Sequence, residues 1–596
     1  MKRREFLKAA AAAPLLPLAC SRGVTPSPEV APVASRWVRP GDPDWPSPDS
    51  WEALNREVHG RLIRVESPLD ICREYPASEE CAELFRSLKN PYFIGDHPAL
   101  TQTSGWLDAW TSSPSEYAVA AEETADVVAA VSFARENRVR LVVKGGGHSY
   151  LGTSNAPDSL LVWTRRMNAI ELHDAFVPLG CDAEPQPAVT VGAGAIWMHV
   201  YQAVTVEAGR YVQGGGCGTV GVAGLVQSGG FGSFSKRFGL AAAGLLEAEV
   251  ITADGEVRIA NACSEPDLFW ALKGGGGGTF GVVTRLTLRM RELPGMFGGF
   301  FGKIRARSDD AYRALIARFL LFYRDSIMNS YWGEQARFDD DNTLGLSMLQ
   351  AGLSQAETEA VWAPLLEWVN TKPDQYSWEE PAQMIAFPAQ SMWDRAFFQQ
   401  VAPDAILQDD RPGAPAENVY WADNRGEAGQ FLHAYTSAWL PASLLTDARV
   451  SDLADALFAA SRRWTTSLHF NKGLAGSPPE EIEAARQTAM NPAVLDAFAL
   501  AIVAGEGPPA FAGIPGHEPD ATRGRRSADR IHAALAELRK VAPEAGSYVS
   551  ESDYFEPDWQ RAYWGANHAR LAEVKRVYDP GGLFTVRNGV GGESSR

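Results

Sequence analysis

Three glycine clusters within one stretch limit what this chain can fold into more than any other feature. They are "VVKGGGHSY" at 142–150, "YVQGGGCGTVGVAGLVQSGGFG" at 211–232 and "LFWALKGGGGGTFGVVT" at 268–284. One such cluster alone reads as a set of tight turns. Three together describe a ligand enclosed by backbone, because residues without Cβ let N–H groups crowd a pyrophosphate and let a large ring approach the chain. The first cluster is delivered by a strand, a helix and a strand: "SEYAVA" is strand-like, Glu122, Glu123 and Asp126 precede apolar residues at helical spacing, and Arg140 to Val143 reads as a strand ending in the β-branched Val142 and Val143. Two phosphate loops fail here. GxxxxGK[ST] would need the lysine after the glycines, where Lys144 precedes them, and GxGxxG would need a glycine where Tyr150 stands. With no separate dinucleotide fingerprint, an NAD-dependent enzyme is the weakest enzyme reading.

At 596 residues the chain has room for two large domains or one elaborated one. A net charge of −18 argues against a nucleic-acid backbone as partner, which rewards clustered positive charge. The opening "MKRREFLKAAAAAPLLPLAC", residues 1–20, reads as an export signal too short to span a bilayer as a mature helix. Arg3-Arg4-Glu5-Phe6-Leu7-Lys8 resembles the twin-arginine type, with Lys2 where that motif usually has Ser or Thr, and points to the periplasm or cell surface. Cys20 after "PLA" offers a lipid anchor, while Pro17 departs from the usual leucine and leaves cleavage without lipidation open. Residues 21–50, rich in Pro and Ser, read as a linker, with order beginning near Trp51 and an N-terminal extension over 51–114. Six cysteines include no CxxC, and HExxH is absent, so no metal site is expected. An exported chain can pair Cys72 with Cys81.

Residues 296–540 read as a different unit. "MFGGFFGKIRA", "YWGEQARF", "LGLSMLQAG" and "AENVYWADNRG" are strand-like, and "DAYRALIARFLLFYRDSI" and "PASLLTDARVSDLADALFAASRRW" are helical. Trp332, Trp378, Trp393, Trp421 and Trp439 offer indole faces to a sugar or aromatic substrate, although core packing is the commoner role of each. In "TSLHFNKGLAG", His469, Asn471 and Lys472 alternate on an expected strand that presents His469 and Asn471 on one face.

The glycine clusters, together with "MNAIEL", "VTVGAGAIW", "RFGL", "VITADG" and the closing "WGANHARLAEVKRVYDPGGLF", resemble the flavoprotein oxidases like berberine bridge enzyme, within the vanillyl-alcohol-oxidase type of FAD-binding fold. The resemblance implies an α+β protein: a two-subdomain PCMH-type FAD-binding domain over 115–295, an antiparallel sheet covered by helices over 296–540 that forms the substrate pocket, and a segment 541–596 returning to the FAD domain. It implies FAD held by two covalent bonds, from His148 to the flavin 8α-methyl and from Cys217 to flavin C6. An imidazole and a thiolate suit attack on an electron-poor ring. It also implies cofactor contacts at Gly145, Gly146, Gly147, Ser149, Gly221, Gly224, Gly229 and Gly230, with Val282 and Val283 near the adenine half or simply in the core.

For catalysis the resemblance implies Tyr548 as base near the flavin, its pKa expected to fall from about 10 through the flavin and any nearby cation. Ser550 stands where the family has Asn, so Glu551 and His469 remain candidates for the same role. The resemblance further implies that Val220 borders the flavin face where oxygen reacts, a place where Val tends to accompany oxidases and Leu dehydrogenases. The expectation is an oxidase that takes two electrons from a hydroxyl-bearing small molecule and passes them to O2. The rivals are a dehydrogenase with another acceptor and a flavin-loaded carrier, the latter favoured if Tyr548 and His469 lie far from the flavin.

Overall fold

Short apolar runs make Tyr117–Ala120, Arg140–Lys144 and Ser159–Trp163 almost wholly buried strands, as parallel strands covered on both faces must be. They pair in parallel with Ser159–Trp163 in the middle, and Leu62–Arg64 adds an antiparallel edge. The computed structural model in which these elements are seen describes residues 37–592. The export signal, Cys20 and the first part of the linker lie outside the described residues.

The helix Thr124–Asn137 opens on a capping box in which the Asp126 carboxylate accepts the Glu122 and Glu123 N–H groups. It packs between this sheet and a second one, so that Val127, Ala130 and Val131 share a core with Leu160 and Val162 on one side and Ile251 and Val282 on the other. The second sheet is antiparallel, in the order Val257–Asn261, Leu245–Ile251, Val282–Glu292, Gln186–Gly192, Ile170–Phe176, with Arg210–Val212 on the far end of Val282–Glu292. These two sheets correspond to the two subdomains that the sequence resemblance leads one to expect.

Seven strands from residues 296–507 and two from the N-terminal extension build a larger sheet of nine strands. Its order is Tyr376–Pro388, Met296–Ala306, Thr343–Ala351, Trp332–Phe338, Thr466–His469, Ala497–Gly507, Gln430–Pro441, Thr103–Trp106 and Trp110–Thr111. Helices Asp309–Phe322, Val450–Ser461 and Ala521–Arg539 bury one face of it through Leu315, Phe319, Leu457 and Ile531. Its other face closes a cavity against the glycine loops. The whole is α+β.

Several particulars differ from the sequence reading. The sheet is not purely antiparallel, because Thr103–Trp106 of the N-terminal extension joins Gln430–Pro441 in parallel. The Pro- and Ser-rich linker ends sooner than residue 50: Val38 is buried and bridges Val139, and the Trp45 ring tilts against Trp51 ahead of the helix Pro48–Glu57. Apolar anchors between prolines suffice to order that segment. The strand carrying His469 stops there, and Phe470–Lys472 is a single 3₁₀ turn. "AENVYW" contributes Val419–Trp421, which pairs with Ile406–Gln408 outside the large sheet.

Among the described residues there are two disulfides: Cys72 in the helix Asp70–Glu74 bonds to Cys81 in the helix Glu79–Ser87, and Cys181 bonds to Cys263. Cys217 is a free thiol. The residue before the first glycines is a buried ammonium group: Lys144 Nζ donates to the carbonyls of His97, Pro98 and Leu100 at 3.2, 2.5 and 3.0 Å. Burial pulls its pKa down to about 7, and the three carbonyls take its three N–H bonds. The extension is thereby fastened to the root of the first glycine loop. At the other end, Trp564, Leu571 and Val574 from the C-terminal helices enter the same core as Val191 and Leu286, and Trp564 Nε1 donates to Gly274 O in the third glycine cluster. Among the described residues no helix is long and apolar enough to cross a membrane.

Candidate active site

The three glycine clusters and the open face of the large sheet enclose one cavity of about 750 Å³. That volume lies in the upper part of the range of about 300–1,000 Å³ typical of sites that bury a sizeable organic ligand. The first two clusters touch backbone to backbone: a Cβ on Gly146 would stand 2.6 Å from Gly221 N and 3.1 Å from Thr219 O. No side chain fits at that crossing. In the third cluster Gly274, Gly276 and Gly278 all have positive φ, at 114°, 99° and 71°.

The crossing brings His148 and Cys217 together. His148 Nε2 lies 3.2 Å from Thr219 Oγ1, and the same hydroxyl lies 3.7 Å from Cys217 Sγ. Both residues line the cavity. Burial lowers the His148 pKa to about 4, so the ring is a neutral imidazole, and burial raises the Cys217 thiol to about 12 with the Glu427 carboxylate adding to the rise. Gly145, Gly147, Ser149, Val220, Gly221, Gly224 and Val283 line the same cavity. Ser149 Oγ accepts from Thr153 N and Oγ1 at 3.2 and 2.7 Å. Gly229 and Gly230 stand back from the wall, where added Cβ atoms would strike Met490 and Leu225. Val282 packs in the core beside Ile251.

Across the cavity stand Tyr548, Glu551, His469, Asn471 and Lys472. Tyr548 is buried and its oxygen accepts the Gly230 N–H at 3.3 Å. Its pKa moves opposite to the expectation: burial, and then the Glu551 carboxylate, hold the phenol well above its usual value. The expected cation is present, but Lys472 Nζ is spent on Glu551 at 2.5 and 2.6 Å. Glu551 is therefore an ion-paired carboxylate rather than a solvated one. His469 lies within 3.1 Å of Ser467 Oγ, and burial with the Lys472 charge keeps it neutral, well below the usual imidazole pKa.

Sequence reasoning missed two carboxyl groups on the wall. Glu427, held by burial at a pKa of about 7 with the Glu506 and Asp423 carboxylates adding to the rise, comes from the segment after Val419–Trp421, which carries no motif. Glu334 sits opposite Met348 in the register of Trp332–Phe338, a place whose neighbours Trp332 and Ala336 point into the helix-covered core. Its backbone is left-handed, with φ 71°, and its carboxyl borders the cavity instead. Burial raises its pKa. Asn471 Nδ2 donates to Gly232 O at 3.2 Å and reaches Glu334 Oε1 at 3.5 Å, while the buried Asn471 Oδ1 has no hydrogen-bond partner. No residue type in the sequence signals a left-handed glutamate within a strand. None of Trp332, Trp378, Trp393, Trp421 and Trp439 lines the cavity, and the first, third and last are buried in packing. Trp110 and Trp564 line it instead.

Comparison with known proteins agrees with this geometry. Residues 115–261 match the model of an FAD binding domain, and residues 547–591 match a model described as berberine and berberine-like. An FAD-linked oxidoreductase of Malbranchea aurantiaca is 29% identical over 93% of this chain and 92% of its own. The crystal structure of a VAO-type flavoprotein from Myceliophthora thermophila superposes with a TM-score of 0.76 at 25% identity, covering 94% of this chain and 97% of that one. A xylooligosaccharide oxidase of the same fungus, solved with xylobiose, shares the fold at a TM-score of 0.60 and 20% identity over 88% and 99% of the two chains. The wall chemistry fits FAD. Backbone N–H groups free of Cβ suit its phosphates, and the unobstructed glycine walls suit its ring.

The Gly146–Gly221 crossing yields a prediction. Gly146→Ala must push the two loops apart, so the purified variant should carry less than a tenth of the wild-type flavin per chain by absorbance. Wild-type flavin content in that variant would show that the crossing does not shape the site.

Proposed function

We propose that this chain, an FAD-linked oxidoreductase on the vanillyl-alcohol-oxidase-type fold, oxidises a hydroxyl-bearing carbon of a sugar, an oligosaccharide or an aromatic secondary metabolite and returns the electrons to dioxygen. The observation that carries this reading is the facing of two groups across one cavity: His148 and Cys217 on the glycine side, and Tyr548, Glu551, Lys472 and His469 on the sheet side. FAD supplies a two-electron acceptor for the hydride. His148 and Cys217 are the residues that would hold it covalently. A fold relative that takes xylobiose supports a saccharide substrate, and curated relatives named FAD-linked oxidoreductases support the redox class.

The residues of the sheet side divide the remaining work. Tyr548 points its oxygen at the Gly230 N–H from inside the cavity, and removal of a hydride is eased as the substrate hydroxyl loses its proton. Since the phenol holds its own proton firmly, it acts together with Glu551, the carboxylate able to receive one. Lys472 keeps that carboxylate in place. Asn471 Oδ1 and the Glu334 carboxyl offer acceptors for further hydroxyls of the substrate. The presence of Tyr548 and His469 on the cavity wall disfavours a mere flavin carrier. Val220, half-buried on the glycine side of the cavity, leaves more room for oxygen than leucine would.

Hydrogen peroxide release across sugars, oligosaccharides, aromatic alcohols and alkaloids tests the activity, and a rapid flavin reduction without peroxide would favour another acceptor. Tyr548→Phe should slow flavin reduction by substrate roughly a hundredfold while leaving the flavin attached. Reduction at the wild-type rate would move the role to Glu551 or His469. Val220→Leu should slow reoxidation by oxygen and spare reduction, measured as separate half-reactions by stopped flow. Equal reoxidation of the two proteins would remove the reason to prefer an oxidase.

A further inference from the structure

The hydroxyl of Thr219 touches both proposed flavin anchors. It stands 3.2 Å from His148 Nε2 and 3.7 Å from Cys217 Sγ, it is buried, and its place is set by the Gly146–Gly221 crossing, which presses the Thr219 carbonyl against the first loop. A hydroxyl can accept one hydrogen bond while donating another. A neutral imidazole carries one N–H and one lone pair, and whichever nitrogen keeps the proton leaves the other as nucleophile.

We infer that Thr219 is the positioning residue for both covalent attachments: its oxygen accepts the His148 Nε2–H, leaving the Nδ1 lone pair free for the flavin, and its hydroxyl hydrogen is donated to Cys217 Sγ. This rests on the bicovalent reading above. The neutral state of His148, its ring held by Thr219, leaves one nitrogen unprotonated, and the hydrogen bond from Thr219 favours the thiolate against the upward pull of burial. At His148 an N–C bond to the 8α carbon forms, and the Nε2–H bond and one methyl C–H bond break, the first proton leaving by way of Thr219 Oγ1. At Cys217 an S–C6 bond forms, and the S–H and C6–H bonds break, the thiol proton leaving on the cavity side that Glu427 borders. Each attachment releases two electrons and two protons, which dioxygen takes up as hydrogen peroxide. One side chain thus governs two bonds, and losing its hydroxyl impairs both.

The test compares wild type with Thr219→Ser, Thr219→Val and Thr219→Ala, each purified with its FAD, digested and weighed for flavin on the peptides of His148 and Cys217. Thr219→Ser should match wild type. Thr219→Val, close to Thr in shape, should bind FAD yet show at least a tenfold lower ratio of doubly attached to unattached flavin. Thr219→Ala gives the same reading should the valine variant not fold. Wild-type attachment in the valine or alanine protein overturns the inference and leaves the bicovalent reading standing. The same holds if the serine variant loses attachment as fully as the valine one, since the hydroxyl is then not the cause. Wild-type protein lacking both adducts overturns the reading and the inference with it.

Discussion

The contact between Gly146 and Gly221 is the constraint on which the rest of the site depends. Two loops from different parts of the FAD-binding domain can meet at backbone distance only where neither has a side chain. That meeting sets Thr219 between His148 and Cys217, and it turns two separate loops into one wall. The loops are in turn held from behind. Lys144, buried beneath the first, is fixed by three carbonyls of the N-terminal extension, and Trp564 of the C-terminal segment is bonded to the third cluster. An unpaired buried ammonium would be costly, so the extension is a structural partner of the loop rather than an appendage.

Charge on the two sides of the cavity is managed differently. The glycine side is kept neutral: burial holds His148 unprotonated and Cys217 as a thiol. The sheet side concentrates ionisable groups, with Lys472 and Glu551 paired, Tyr548 kept a neutral phenol by burial, and the Glu334 carboxyl raised in pKa by burial. Such a division suits a site in which an aromatic cofactor lies against one wall and a proton leaves a hydroxyl at the other. The left-handed backbone at Glu334 belongs to the same division, since it takes a carboxyl out of an apolar core and delivers it to the polar wall.

How far the sequence reveals this varies with the kind of signal. Periodicity and capping specify the strand, the helix Thr124–Asn137 and the strand that precedes the first glycines, because each is a local preference. The glycine clusters mark the wall because absence of a side chain is visible in one letter. Long-range and conformational features are not visible. The Cys181–Cys263 bond, the parallel pairing of Thr103–Trp106 with Gln430–Pro441 and the turn that ends the strand at His469 depend on residues far apart in the chain or on tertiary packing. Indole faces suit stacking or burial by type, with core packing the commoner role, and packing took Trp332, Trp393 and Trp439.

The most direct measurement of the account is a crystal structure of the purified enzyme with its native flavin. The account predicts continuous density from the His148 ring and from the Cys217 sulfur to one isoalloxazine, with Tyr548 facing that ring across the cavity. A flavin lying elsewhere, or side chains of His148 and Cys217 that end short of any ring, would contradict it.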